Sequence, residues 1–484
     1  MTQTPTRGGG PGTGGVRAGS LPDAGAPGLP GGPSAPAAPR PAWTDSAARV
    51  RAAATTEPGR LRIIGAVLAL LVVAFGAVTA WQIQDRSTAA GNVLDHSAPL
   101  SAKAADIYRS LADADATVTG GFLVGGQEPA AVSARYQKDV RTAANLIAEA
   151  AANNQGSAEA RSQISALNEQ LPYYTQLVAT AQADNRQGLP LGGAYLRYAN
   201  DQMRKKGGLL DAADKLYQAE TERLGHDYDH AKALPWAAWG LGLVALAALV
   251  WAQRRHYRRT NRVFNRGMVA ASGACAVVLI WLLVGHTVAR AQLDESARHG
   301  SKSLQVLNTA RIAVLQARGD ENLTLVARGS GEAYEANFST GMNGLAGNDP
   351  RGVGGRLAQA LALADDPAGR APVDTAIKSV QTWRGRHTAA RASDDNGDYT
   401  TAVADVIGGK DSKGKVVQAT TGQCFDNVDR SLQLAVGQET REFESAAGDG
   451  RGALSMLPAG AGLLAVLAAA GAVFGIGRRL SEYR

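Results

Sequence analysis

Aromatic residues are scarce, making up 5% of the 484 positions, while Gly stands at 57 and Ala fills most windows. A chain so poor in rings and in β-branched runs argues against an all-β architecture and favours helix. Cysteine is limited to Cys275 and Cys424. The first lies inside an apolar run and the second in a polar helical segment, so they belong to different compartments. That argues against a disulfide, and neither spacing forms a metal motif. Catalytic signatures are missing as well. No Ser/His/Asp set and no nucleotide motif stands out, and the glycines at 120, 121, 125 and 126 are followed by no Lys-Ser/Thr and preceded by no strand. The expectation is a protein that is not an enzyme and needs no cofactor.

Charge is the next scarcity, and it is local. Four stretches, Ile63–Trp81, Leu234–Ala252, Met268–Ala289 and Ala453–Gly477, hold no Asp, Glu, Lys or Arg. Each approaches or exceeds the roughly 20 apolar residues that a hydrocarbon core requires. Trp81, Trp236, Trp239 and Trp251 stand near their ends, where amphipathic rings prefer to sit. The Ala/Gly content of the second and fourth runs suits close helix packing in a bilayer. The expected organisation is a tail at 1–60, spans at 61–82, 234–252, 267–289 and 452–477, external segments at 83–233 and 290–451, a loop at 253–266 and a short tail at 478–484.

Orientation follows from Lys/Arg bias. Arg254, Arg255, Arg258, Arg259, Arg262 and Arg266 crowd the loop between spans two and three, with no acid among them. Arg60 and Arg62 precede span one, and Arg478 and Arg479 follow span four. All fall on one side if the four spans hold, which predicts a multi-pass cell-membrane protein with both termini cytoplasmic. The N-terminal tail, loop and C-terminal tail carry +4, +6 and +2, so the remainder carries −5 of the +7 total. This split excludes nucleic acid as the reason for the basic balance. The loop arginines serve as a topology signal with anionic-lipid contact, or as the surface that meets a cytoplasmic partner.

Residues 1–45 offer almost no apolar side chains, too few to offset ordering entropy, so the tail is expected to be disordered. Thr4, Thr6 and Thr44 lie in it. The first external segment reads as four antiparallel helices. Helix one continues span one and breaks near Gly120–Gly126; helix two starts near Pro129 and carries Val132, Tyr136, Val140 and Ile147. Helix three shows Ile164, Leu167, Leu171, Tyr174 and Val178, and helix four Leu196, Met203, Leu210, Tyr217 and Leu224. The second segment follows a similar plan less regularly. Leu304, Leu307 and Val314 open it, and Phe425, Val428, Leu432 and Ala435 form a stripe before span four. Its second helix is expected to be short and its fourth kinked at Gly408–Gly409.

The halves look duplicated. Asp115-Ala-Thr-Val-Thr119 has a counterpart in Asp320-Glu-Asn-Leu-Thr324, and Ala183-Asp-Asn185 in Asp394-Asp-Asn-Gly397. Fold class is therefore all-α integral membrane protein with two extracytoplasmic helical bundles, an internal duplication. Candidate chemistry is sparse. His226 and His230 share a helical face, but no third ligand is placed by sequence, so a polar collar near the membrane is preferred to zinc. His286 sits in a span near its outer end, which favours interfacial packing over a relay. Arg197, Arg204, Lys205 and Lys206 could receive an anion, although a solvated helix face is the simpler reading. No ligand-binding residue is assigned.

Two spans flanking an antiparallel external bundle look like the sensor half of chemoreceptors and sensor kinases, here without an attached output domain. Four spans, two external helical domains, an Ala/Gly/Arg-rich composition and the segments Ala194-Tyr-Leu-Arg-Tyr-Ala199 and Leu209-Leu-Asp-Ala-Ala213 together resemble the actinobacterial GlnX-type membrane proteins. The resemblance covers residues 60–484. It implies relay of nitrogen or amino-acid status from a solute-binding lipoprotein outside to a Ser/Thr kinase inside, with no ligand residue carried over. The residues alone leave open a signal relay, a structural scaffold of the envelope and an accessory subunit of a transporter, as well as a homodimer. In the relay reading, helices one and four shift against each other and pass the motion unbroken into the spans.

Overall fold

Four apolar helices, each with a stretch long enough to cross a membrane, stand together, and the polar helices rise from one end of them. The computed structural model describes residues 57–126, 128–153, 157–260, 266–348, 354–455 and 457–480. Residues 61–484 form one unit. Residues 1–56 of the expected tail with its three threonines, Arg262, and residues 127, 154–156 and 349–353 of the expected turns lie outside the described residues, while residues 57–60 already belong to the first helix.

Helix α1 (Glu57–Asn92) passes through a π-helical turn (Val93–Ser97) into α2 (Ala98–Val124). Next come α3 (Ala130–Asn153), α4 (Ala158–Arg186), α5 (Leu191–Arg204), α6 (Leu209–Lys232) and α7 (Trp236–Thr260). Helix α8 (Arg266–Glu295) passes through a second π turn (Ser296–Ser301) into α9 (Lys302–Val326). The chain continues through α10 (Glu332–Ala346), α11 (Gly355–Leu363), α12 (Pro367–Asp395) and α13 (Tyr399–Ile407). A hairpin pairs β1 (Gly409–Lys410) with β2 (Val416–Val417), and α14 (Thr421–Ser455) and α15 (Leu457–Leu480) follow. Apart from that hairpin, the described residues fit the all-α expectation.

Four helical stretches, Gly59–Val124, Leu191–Arg258, Arg266–Val326 and Thr421–Phe474, each hold a part long and apolar enough to span a bilayer, and each contains all or most of one of the four expected runs. Their inner faces meet through Leu68, Val72, Phe75, Leu249, Cys275 and Ala468. Exposed large apolar side chains concentrate on their outer faces, among them Leu70, Leu243, Ile280, Leu463 and Phe474. Such contiguous apolar surface fits lipid rather than water. Trp81 is 69% and Trp236 68% exposed at span ends.

Helices α2 and α9 rise from α1 and α8 and pack side by side, so both polar segments stand on the same side of the spans. One core runs through both: Ile107, Leu111, Ile147, Tyr174, Leu196 and Leu216 from the first join Val314, Trp383, Val428 and Leu432 from the second. The five seam residues expected on helix four are all buried.

Several boundaries differ from expectation. Helix four is two helices, because Gly207 adopts φ +77 and a Cβ on Gly208 would lie 2.5 Å from the Gln202 carbonyl oxygen. Nor does it run unbroken into its span. Pro235 lacks an N–H and disfavours helix at the residue before it, so α6 stops at Lys232 and α7 starts at Trp236. Arg86 of α1 donates to the carbonyls freed there, at 2.5 Å to Ala233 and 3.1 Å to Leu234. Gly120 and Gly121 do not end helix one: they lie inside α2, and a Cβ on Gly121 would meet the Glu128 side chain. The end comes at Gly125 and Gly126, with φ of +68 and +63. In the second segment helix two is divided into α10 and α11. The chain breaks rather than kinks at Gly408 and Gly409, with φ of +93 and +115.

Candidate functional site

Asp115 and Asp320, from the two similar sequence segments, are brought to one arginine. Arg204, at the C-terminal end of α5, reaches between α2 and α9. Its Nε lies 3.1 Å from Asp115 Oδ2 and its Nη1 2.6 Å from Asp320 Oδ1. Asn200, one turn earlier, donates to Asp115 at 2.9 Å. Burial pushes both carboxyls up and the guanidinium only partly offsets it; Asp320 is pushed up to about 6. The solvated-face reading of helix four therefore fails for Arg204, while Arg197, Lys205 and Lys206 are exposed. Each repeat also bonds its own backbone in the same way: Thr119 Oγ1 donates to the Asp115 carbonyl at 3.0 Å and Thr324 Oγ1 to the Asp320 carbonyl at 2.9 Å.

Beside this junction lies a cleft of about 500 Å³ between the two segments. Helix α2 supplies Asp113, α3 Arg135, α9 Arg318 and Asn322, and α14 Phe425 and Asp426. Arg135 holds Asp113 at 2.8 Å and stands 3.8 Å from Asp426. Both guanidiniums, from Arg135 and Arg318, lie 5.9 Å from the Phe425 ring centroid, within cation–π range. Asn322 is fully buried, and its Nδ2 donates to the Ala116 carbonyl and Thr119 Oγ1. Its Oδ1 has no partner. Leaving such an acceptor unmatched costs roughly 1–3 kcal/mol, which a donor on a ligand would offset. Behind Asp113, burial pushes Asp139 up, and the Asp113 charge adds to the effect.

Arg318 is fixed from behind. It bonds Glu321 at 2.6 Å and Thr421 at 3.1 Å. Glu321 also accepts from Trp383 Nε1 and faces His387 Nδ1, both at 3.0 Å. Burial would raise Glu321, yet the His387 bond and the Arg318 charge outweigh it and hold the carboxyl low. Burial likewise opposes charge on His387, but hydrogen bonds to Glu321 and Glu335 raise it to about 9. The imidazole is thus a cation at neutral pH, stacked on Phe338 with centroids 3.7 Å apart. This network locks the orientation of Arg318 toward the cleft.

The six loop arginines fall elsewhere. Arg254, Arg255 and Arg258 are helical, on the last turns of α7, and with Trp251 they border a surface depression. Arg255 lies 5.5 Å from the Trp251 ring centroid. Arg259 ends the same helix with its side chain outside the described residues, Arg262 lies outside them altogether, and Arg266 is exposed at the start of α8. His226 and His230 stack at 5.7 Å, and His286 is buried edge-on to Trp239. None of the cleft residues was singled out by sequence reasoning as a ligand contact. The available signals were the similar segments at 115–119 and 320–324, which contain Ala116, Thr117 and Asn322, and the apolar stripe that contains Phe425.

Residues 89–229, from the end of α1 through α6, match the family model of the actinobacterial sensor domain. No curated protein and no solved structure matches the chain. The matched stretch is the first polar segment, which supports a sensor-type actinobacterial protein. With the four apolar helices, it supports a membrane sensor.

Proposed function

We propose that this chain is a transmembrane relay, and not an enzyme. It reads a small solute of amino-acid type in the cleft between its two helical segments and passes the signal to a cytoplasmic partner at the arginines of α7. The observation that carries the reading is the cleft. Arg135 and Arg318 suit a carboxylate, Phe425 offers a ring face, and Asp113 with the unmatched Asn322 oxygen suits an ammonium group. Placement supports it too, since α2 and α9 form the cleft and continue through the π turns into α1 and α8. A ligand that moves one segment against the other therefore moves two spans. The break at Pro235 uncouples α6 from α7, so the motion enters through the first and third spans and reaches the arginines of α7 through the packing of α7 on α8, where Gln253 donates to the Met268 carbonyl and to Ser272.

Orientation follows the arginine bias, with the polar segments outside and both termini in the cytoplasm. The partners in this reading are a solute-binding lipoprotein outside and a Ser/Thr kinase inside, with lipid at the spans. The two segments descend from one duplicated unit. In support, the π turns recur at Val93–Ser97 and Ser296–Ser301, and the Asp115 and Asp320 repeats meet at one arginine.

The full chain in lipid nanodiscs, titrated calorimetrically with the twenty amino acids, tests the cleft. At least one should bind saturably, and Arg135→Gln should weaken it about tenfold, the loss expected of one charge-assisted hydrogen bond. Binding unchanged in that variant, or no saturable binding by any amino acid, would remove the cleft from the proposal.

A further inference from the structure

Acidic side chains gather where the turn between α11 and α12 meets α14. Asp365 and Asp366 occupy that turn, and Glu439 and Glu442 stand three residues apart on one face of α14. One oxygen each from Asp365, Asp366 and Glu442 lies within 4.8 Å of those of the other two. Oxygens on opposite sides of a Ca²⁺ ion, at bonds of about 2.3–2.6 Å, are separated by roughly 5 Å. Like charges so close repel one another. Among the described residues, no lysine or arginine forms an ion pair with any of the four carboxylates.

A solvated cluster of acids needs no ion, but Glu439 carries this group inward. It is 2% exposed. It also points at the cluster, because its Oε1 and Asp366 Oδ1 both lie 3.1 Å from the position that a Cβ on Gly369 would occupy. Burial raises its proton affinity, and the charges of Glu442, Asp365 and Asp366 add to the effect. Beside it stands the Ser303 hydroxyl, fully buried and without a hydrogen-bond partner. Two buried polar groups are thus left unmatched behind the cluster, and a buried charge without a counter-charge is costly. The outer carboxylates keep oxygens to offer. Asp366 Oδ1 accepts from the Gly369 N–H at 2.6 Å and Glu442 Oε1 from Gln438 at 2.6 Å, which leaves the second oxygen of each.

Oxygen donors alone, all of them carboxylates, suit a hard cation. Mg²⁺ demands near-octahedral geometry and gives up its water reluctantly, whereas Ca²⁺ accepts irregular sets and bidentate carboxylates. Two consecutive turn residues and one helix residue make an irregular set, open to solvent at Asp365. We infer that Asp365, Asp366 and Glu442 bind a Ca²⁺ ion, with the buried Glu439 carboxylate behind them as a further counter-charge. The ion ties the α11–α12 turn to α14, the helix that leads into the fourth span. Its occupancy therefore braces the second segment against that span, at a place separate from the cleft.

Asp365 comes equally close to a second set, Glu295 and His299. His299 Nδ1 lies 3.3 Å from the Leu363 carbonyl, which leaves Nε2 to face an ion. Substitutions tell the two sets apart. The full chain in phosphatidylcholine nanodiscs is stripped with EDTA, dialysed, and titrated calorimetrically with CaCl₂ and MgCl₂ at constant ionic strength, with empty discs as reference. Ca²⁺ should bind saturably with a Kd of about 10⁻⁴–10⁻³ M, the range of extracellular modules, and roughly tenfold more tightly than Mg²⁺. Asp365→Asn and Glu442→Gln should each weaken Ca²⁺ about tenfold, and His299→Gln should leave it unchanged. None of these three side chains is buried, so the circular dichroism of each variant should match wild type. No saturable Ca²⁺ binding, or binding unaltered in Glu442→Gln, would overturn the assignment. Binding kept in Glu442→Gln and lost in His299→Gln would move the ion to the imidazole set, and equal affinity for Mg²⁺ would refute the choice of Ca²⁺.

Discussion

Asp320→Asn should stabilise this protein at neutral pH, although it removes one arm of a buried ion pair. The carboxyl is 4% exposed, shares Arg204 with Asp115, and has its pKa raised from 3.8 to about 6. Burial is the largest cause, with Arg204 opposing it and the Asp115 charge adding to it. A carboxyl that holds its proton more tightly when folded favours the folded state below its unfolded pKa. That contribution is lost as pH rises from about 4 to about 6, the two values just cited, and stays lost above. The difference of some two units corresponds to about 3 kcal/mol at 1.36 kcal/mol per unit. An amide keeps the shape and never ionises. Thermal unfolding of the full chain in nanodiscs, followed by circular dichroism, should place the variant on the order of 5 °C above wild type at pH 7.5. The gap should close toward pH 4. Arg204→Met is the opposing control: it leaves two buried carboxyls without a cation and should cost about 3–5 kcal/mol at pH 7.5. If Asp320→Asn were no more stable than wild type at pH 7.5, with the same pH slope, attraction to Arg204 would outweigh desolvation and the reasoning would fail.

Two further outcomes follow from the second segment and the divided helix. His387 has its pKa raised from 6.5 to about 9 through Glu321 and Glu335, so its stabilising effect is complete below pH 6.5 and disappears as pH passes 9. Wild type should lose about 3 kcal/mol over that window, and His387→Leu should start lower and respond less; parallel pH profiles for the two would contradict the charged-imidazole reading. Gly208→Ala places a Cβ 2.5 Å from the Gln202 carbonyl oxygen, a clash with backbone, and should lower stability by about 1–3 kcal/mol. A denaturation midpoint equal to wild type would mean that the turn relaxes freely.

Some of this molecule was legible from its residues alone. Spans are local: a run of roughly twenty apolar residues cannot remain in water as a lone helix, and the four runs could be read by length. Seams are local too. Leu196, Met203, Leu210, Tyr217 and Leu224 keep one face at a seven-residue period, and all five are buried even though the helix divides at Gly207. Small breaks were harder, because Gly120 and Gly121 in a helix and Gly125 and Gly126 at its end look alike in one dimension. What separates them is a neighbour, the Glu128 side chain packed over Gly121.

The sequence by itself determined that this is a helical chain with four membrane-length segments and a repeated Asp-containing motif, since helix propensity and apolar length act within a few turns. Only the tertiary structure decided what the motif is for. Asp115 and Asp320 lie far apart in the chain, and Arg204 is an ordinary surface-helix arginine until α2 and α9 pack together, bury both carboxyls and leave the arginine side chain 20% exposed. The cleft of Arg135, Arg318 and Phe425 arises in the same way. Pairing, burial and shifted protonation depend on which segments meet in space, and no periodicity along the chain encodes that meeting.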